Sequence, residues 1–110
     1  MTIERVQMGN KMVLRLTGRM DVENASQLQP ECESCISEGF KTLVIDVGDL
    51  TYINSMGLRS FVTIAKKLKE SGGGLRICRL TGLVRQVFEI TRLTEIFALY
   101  ESVDSALLEG

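Results

Sequence analysis

The sequence contains no histidine, and this absence restricts the chemistry that the chain can perform. Catalytic triads and general bases that use an imidazole are excluded, as are histidine metal ligands. Tryptophan is also absent and aromatic residues make up 5% of the chain, so a stacking surface for single-stranded nucleic acid is not expected. The formal net charge is −1 with dispersed lysines and arginines, and no basic stripe marks a nucleic-acid interface.

Long apolar runs are missing as well. No stretch approaches the roughly 20 apolar residues of a membrane-spanning helix, and residues 1–5 lack the basic-then-apolar pattern of a signal peptide. The 110-residue chain is nevertheless 45% apolar, which is enough for one hydrophobic core. We therefore expect a cytoplasmic protein without a membrane span, in which residues 1–110 form a single domain.

The three cysteines do not form a recognisable metal or redox site. Cys32 and Cys35 make a C-x-x-C, but they lie late in a helical pattern, so both point to one apolar face. This placement favours two small core residues. Together with Cys78 they fall short of the about four ligands of a zinc site, and we expect no metal.

Signs of catalysis are also lacking. Glycines 72–74 are not followed by the Lys-Ser/Thr of a phosphate-binding P-loop. No nucleophile lies beside an activating base. We expect no cofactor and no catalytic residues, and therefore a binding protein rather than an enzyme.

What is present is a regular alternation of strand and helix patterns. The strands are expected at residues 3–8, 12–17, 43–47, 75–78 and 97–100. The helices are expected from Glu23 or Asn24 to Glu38, from Met56 to Glu70, from Thr81 to Thr91, and at residues 103–108. The order predicts an α/β fold with a four- or five-stranded mixed sheet, residues 43–47 at its centre, and about four helices packed on it.

Details of the helices follow from the same patterns. Pro30 should remove one backbone donor and kink or locally loosen the first long helix. The second should bury a stripe of apolar residues, and so should the third. The two stripes are Leu58, Phe61, Val62, Ala65 and Leu68, and Leu83, Val84, Val87, Phe88 and Ile90.

The most informative segment is residues 49–58, between an apolar strand and the Met56–Glu70 helix. The pattern predicts that a loop crosses the sheet edge and that a helix begins at or near Ser55. Ser55 would then lie among free backbone N–H groups at the positive end of the helix dipole, which favours a phosphate. A serine here can be a helix cap or a phosphorylation switch, and both remain open on this pattern.

The chain resembles the STAS domains, and among them the stand-alone anti-sigma factor antagonists. The resemblance covers nearly the whole chain. It is carried by LTGRMD at residues 16–21, VID at 44–46, DL at 49–50, Ser55-x-Gly57-Leu58, and the glycine-rich stop before the fourth strand. It implies a STAS-like fold and a role in bacterial transcription regulation by partner switching.

The resemblance also implies a cycle. The unphosphorylated protein binds an anti-sigma factor that is also a serine kinase, phosphorylation of Ser55 releases it, and a phosphatase resets it. One position departs from the family pattern, because Asn54 stands where the family usually has Asp. Asn54 favours the alternative of a scaffold STAS domain of a signalling or lipid-transport complex that is never phosphorylated.

The expected partner-binding surface combines the Arg19–Asn24 loop with residues 51–60 at one end of the sheet. Its members are Met20, Asp21, Tyr52, Asn54, Ser55, Met56 and Gly57. Met20, Tyr52 and Met56 are expected to form an exposed docking patch. Asp21 either carries partner specificity or caps the following segment, and Gly57 either admits a partner backbone or allows a tight turn. Asp46 and Asp49 are interpreted as polar contacts at this face, with Asp49 favoured as a turn residue.

Overall fold

The computed structural model of the protein describes residues 1–108, in which strands and helices alternate as the sequence predicts. The strands are β1 Thr2–Met8, β2 Lys11–Met20, β3 Thr42–Ile53, β4 Gly74–Cys78 and β5 Ala98–Tyr100. The helices are α1 Leu28–Ser37, α2 Ser55–Glu70, α3 Gly82–Ile90 and α4 Val103–Leu108. Two short 3-10 turns, Ala25–Gln27 and Leu93–Glu95, precede α1 and β5.

The strands form one mixed sheet in the order β1-β2-β3-β4-β5. β1 pairs with β2 as an antiparallel hairpin, and the other pairs are parallel. Each parallel pair after β2 is joined through a helix, because a parallel connection needs a crossover. The predicted α/β fold and the central position of the third strand are confirmed.

The main core lies between the sheet and helices α1, α2 and α3. Its centre is an aromatic cluster in which the Phe61 ring meets Phe88 edge-on, with 5.7 Å between ring centroids, and Phe97 at 6.4 Å. The opposite face carries a smaller cluster under α4, formed by Val13, Val44, Cys78 and Ala106. The sheet is thus covered on both faces at its centre, as continuous apolar strands require.

The buried faces of α2 and α3 differ in part from the prediction. In α2 the residues turned to the core are Phe61, Ile64 and Leu68, while Val62 is 44% exposed. In α3 Val84 and Phe88 are buried as predicted, but Leu83 and Ile90 are exposed. A helix buries a stripe of residues at i, i+3, i+4 and i+7. The sequence prediction was wrong at these three positions because it extended each stripe by one residue at its edge.

The long strands β2 and β3 correct a second expectation. Residues 18–20 and 49–53 were expected in loops, yet they extend β2 and β3 and pair as far as Met20 opposite Ile53. The register of the β2–β3 pairing shifts on both sides of Gly18, whose φ is +104°. The paired ends therefore rise beyond β4, which stops at Cys78.

Helix α1 begins later than expected. A 3-10 turn occupies residues 25–27, so Pro30 is the third residue of the α-helix. The amide of that position has no partner within a helix, and Pro30 therefore removes no helical hydrogen bond there. The expected kink or loosening assumed a position inside the helix, whereas Pro30 lies in its first turn.

The cysteines of α1 are core residues, as predicted. Cys32 and Cys35 are both buried and unpaired. Burial raises the pKa of each thiol, as it does for Cys78, whose pKa rises to about 12. Thiols held in this way are poor nucleophiles at neutral pH.

Candidate functional site

The candidate site lies where β2 and β3 end together. The Asn54 N–H donates to the Met20 carbonyl at 3.0 Å, which ties the start of α2 to the end of β2. The Arg19–Asn24 segment and the residues around Ser55 therefore lie side by side at one end of the sheet, as the sequence predicted.

Asn54, and not Ser55, is the N-cap of α2. Its side-chain Oδ1 accepts a hydrogen bond from the Gly57 N–H at 2.9 Å, with an extended backbone at φ −100° and ψ 179°. Ser55 is the first residue inside the helix. The cap interpretation of Ser55 is thus wrong, because an N-cap precedes the helix and its side chain accepts from the N–H of the second or third helical residue, as Asn54 does.

Ser55 itself is exposed. Within residues 1–108 its hydroxyl makes no hydrogen bond, and the backbone N–H groups of Ser55 and Met56 have no partner either. The site therefore presents a free hydroxyl beside two free amides at the positive end of a helix of 16 residues.

Gly57 faces the core rather than the solvent. A Cβ added there would lie 2.7 Å from Met20 Sδ and 2.9 Å from Ile53 Cγ1, which is closer than real contacts allow. The glycine therefore lets the first turn of α2 pack directly on the ends of β2 and β3. This packing explains Gly57 without a partner, and its predicted role at the partner surface stays a prediction.

Met20 corrects the predicted docking patch. Its side chain is fully buried, because it continues the inward-facing alternation of Met12, Leu14 and Leu16 along β2. Its exposure was expected because the segment was assigned to a loop. Met20 supports the site from beneath and does not belong to its surface.

The exposed apolar surface is formed by other residues. Met56 is 49% exposed, and Val22, which the sequence interpretation missed, protrudes from the loop after β2. Tyr52 is half-buried, with the Arg19 guanidinium 4.4 Å from its ring centroid. The Arg19–Tyr52 contact orders both side chains at the edge of this surface.

A groove between α1 and α2 continues the site. It has a volume of about 290 Å³ and is lined by Ser26, Gln29, Pro30, Glu33, Met56, Arg59 and Ser60. Arg59 lies one turn after Ser55 on the same helix face and is exposed. The i to i+4 spacing of these two residues was the signal in the sequence that could have identified Arg59.

The acidic residues near the site are largely structural. Asp21 Oδ1 accepts from the Glu23 N–H at 3.1 Å, and Asn24 Oδ1 accepts from the Asp21 N–H at 2.9 Å. These bonds support the capping alternative for Asp21. Its role in partner specificity stays a prediction.

Asp46 and Asp49 do not behave as expected. Asp46 is fully buried and accepts from Arg79 at 3.1 Å and from Arg15 at 3.4 Å, so it cannot contact a partner. The hydrogen bond from Arg79 to Asp46 raises the pKa of the guanidinium. Asp49 lies on β3 rather than in a turn and is 3.8 Å from Arg79.

Other kinds of site find no support in the described part of the chain. Among residues 1–108, no group of three or more Cys, Asp and Glu side chains is arranged to hold a metal ion. In the same residues no helix combines the length and the apolar character needed to cross a membrane.

The cap assignment makes a prediction about stability. Asn54→Ala should lower the free energy of unfolding by about 1 kcal/mol, because it removes the acceptor for the Gly57 N–H. Asn54→Asp is the matched control, and it should keep most of the stability because a carboxylate also caps a helix and favours its positive end. Urea denaturation measures both, and an equal loss in the two variants would contradict the cap.

Comparison with known proteins identifies relatives over most of the chain. The sequence model described as the STAS domain matches residues 2–106. BtrV of Bordetella bronchiseptica, a candidate anti-sigma factor antagonist by its name, is 37% identical over 95 residues, which cover 86% of this chain and 82% of BtrV. The anti-sigma-B factor antagonist of Bacillus subtilis is 31% identical over 87 residues, which cover 79% of each chain.

Solved structures show the same fold. A candidate anti-sigma factor antagonist from Thermotoga maritima matches with a TM-score of 0.90 at 21% identity, over 97% of this chain and 92% of that chain. The Bacillus protein SpoIIAA in its phosphorylated form matches with a TM-score of 0.75 at 18% identity, over 96% of each chain. The predicted STAS-like fold is confirmed.

Proposed function

The chain belongs to the STAS domain family, and from this premise we propose that it is an anti-sigma factor antagonist that phosphorylation of Ser55 switches off. The unphosphorylated protein sequesters an anti-sigma factor with the surface around Ser55. The anti-sigma factor is also the serine kinase, a phosphatase resets the protein, and the cycle takes place in the cytoplasm. The protein acts by binding and not as an enzyme.

The names of the relatives support the first part of this proposal. Two curated relatives that align over about four-fifths or more of this chain are named as anti-sigma factor antagonists, one of them as a candidate. The surface around Ser55 is suited to protein binding, because exposed Met56 and Val22 lie beside polar loop residues. Met56 is flexible and can adapt its contact to a partner.

The observation that best supports the switch is that Asn54 caps α2, while Ser55 does not take part in the cap. Asn54 caps α2 by accepting from the Gly57 N–H, so the fold does not need the Ser55 hydroxyl as a cap. That hydroxyl is exposed and free among the described residues, and a kinase can reach it. In SpoIIAA, both a phosphorylated and an unphosphorylated form have been solved, which is consistent with a switch in a protein of this fold.

The physical consequence of phosphorylation is different for the fold and for the complex. A phosphoserine adds about −1.5 to −2 charges at neutral pH. The free amides of Ser55 and Met56, the helix dipole and Arg59 can accommodate it in the free protein, the dipole contributing about 0.3–1 kcal/mol. In a desolvated complex an unpaired dianion is strongly unfavourable, so the partner is released.

The scaffold alternative depends on one residue. Asn54 is neutral where the family usually has a carboxylate, and a carboxylate there could orient the serine for the kinase. In the scaffold function Ser55 is never phosphorylated, and the protein is a permanent member of a signalling or lipid-transport complex.

The experiment that separates the two functions is a kinase reaction. The protein is incubated with ATP and the anti-sigma factor kinase of the same genome, and its intact mass and phosphopeptides are measured. We expect one phosphate, on Ser55, none on Ser55→Ala, and a faster reaction for Asn54→Asp. No phosphate on Ser55 with an active kinase would leave the scaffold function.

A further inference from the structure

The exposed face of α2 continues well beyond Ser55. Residues at alternating spacings of four and three lie on one side of a helix. On α2 this row is Ser55, Arg59, Val62, Lys66 and Lys69, and all five side chains are exposed. The row runs roughly 20 Å along the helix from Ser55 to Lys69, and three of its members are cationic.

A second groove lies beside the far half of this row. It has a volume of about 290 Å³ and is lined by Val62, Ala65, Lys66, Lys69, Ile96 and Phe97. The turn after Leu93–Glu95 sends Phe97 into the core, with its ring 6.4 Å from Phe61, while Ile96 remains 72% exposed. An apolar floor with a protruding isoleucine at its rim is suited to a complementary apolar ridge.

The two charged residues of α2 that line this groove are both lysines. Within residues 1–108, Lys66 and Lys69 have no acidic partner, whereas their neighbour Lys67 pairs with Glu33 on α1. Across the groove, the exposed Arg92 pairs with Glu95 at 3.6 Å. The two lysines therefore give the apolar floor a positive edge.

We propose that this groove is a second docking surface for the anti-sigma factor and receives an amphipathic helix whose apolar face is bordered by Asp or Glu. The proposal rests on the proposed function and extends its contact along α2. Val62 and Ile96 would hold the apolar face, while Lys66 and Lys69 would pair with the carboxylates.

An anionic membrane is the other surface that basic and apolar residues can bind. The geometry favours the helix, because the apolar residues line a concave groove, while insertion into a bilayer needs a convex apolar face. Two unpaired lysines in a chain of net charge −1 also provide little attraction to a membrane surface.

The test measures the affinity of the purified anti-sigma factor for the unphosphorylated protein by titration calorimetry. We expect Ile96→Asp to weaken binding about tenfold, because it replaces the apolar contact at the rim by a carboxylate that repels the acidic border of the partner helix, and Lys66→Glu to weaken it about fivefold. The loss in Lys66→Glu should shrink as salt is raised. Thermal unfolding followed by circular dichroism verifies that each variant folds.

Two matched variants provide the controls. Leu108→Asp changes another well-exposed apolar residue, on α4 across the sheet, and Lys11→Glu reverses a charge at the start of β2. Both should bind like the unmodified protein. Equal losses in the groove variants and their controls would overturn the proposal.

The remaining outcomes separate this proposal from the proposed function. If the anti-sigma factor binds the unmodified protein and is indifferent to Ile96→Asp and Lys66→Glu, the second docking surface is wrong and the function stands. If it fails to bind the unmodified protein, both are wrong. Binding to phosphatidylserine vesicles that Ile96→Asp and Lys66→Glu abolish would assign the groove to a membrane and overturn the proposal.

Discussion

Replacing Phe61 by alanine should lower the free energy of unfolding by about 3–5 kcal/mol. The side chain is fully buried and meets Phe88 and Phe97 in edge-to-face contacts. Truncation removes both ring contacts and leaves a cavity between α2 and the sheet, and a cavity there cannot collapse without moving α3. Urea denaturation at 25 °C measures the change.

The neighbouring residue provides the control. Val62→Ala should change the free energy of unfolding by no more than about 0.5 kcal/mol, because Val62 is 44% exposed and is not one of the buried core residues. The sequence pattern places both residues in one buried stripe, whereas the structure buries only Phe61. Comparing the two variants therefore tests which assignment is right. Similar losses in the two variants would contradict the orientation of α2.

Ser55→Asp should weaken binding of the anti-sigma factor about a hundredfold, equivalent to about 3 kcal/mol, while leaving the fold intact. The new carboxylate lies at the positive end of α2, where the free protein tolerates it, but a desolvated partner surface does not. Ser55→Ala should bind like the unmodified protein. Titration calorimetry measures the affinities, and thermal unfolding verifies the fold.

The effect of the carboxylate's charge can be separated from the effect of its volume. Ser55→Asn has nearly the volume of Ser55→Asp and no charge, so it should lose much less affinity. Equal affinities of the Asp and Ala variants would show that the contact does not include Ser55. Equal losses in Asp and Asn would assign the effect to steric bulk alone.

The order of elements could be predicted from the sequence because it depends on local patterns. The apolar run at 43–47 and the amphipathic periodicity at 56–70 identify a central strand and its crossover helix without any knowledge of the rest of the chain. The extended ends of β2 and β3 could not be predicted in the same way. Residues 18–20 and 49–53 include glycine and polar residues, and they are strands because they pair with each other.

Some features of the candidate site also could not be predicted from the sequence. Asn54 and Ser55 are both preferred N-cap residues, so the sequence cannot tell which one precedes the helix and which one begins it. The backbone dihedrals of Asn54 and its bond to Gly57 decide this. The exposure of Met20 was also mistaken, because whether a residue is buried at a strand end depends on the helix that covers it, here through Gly57.

Phosphate on Ser55 should release the partner, and this release can be followed in a single reaction. The complex with the anti-sigma factor kinase is supplied with ATP, and native mass spectrometry follows the phosphate on Ser55 and the bound fraction in the same samples. We expect the bound fraction to fall in step with phosphorylation of Ser55, and the Ser55→Ala complex to persist. A complex that stays intact with Ser55 fully phosphorylated would contradict this expectation.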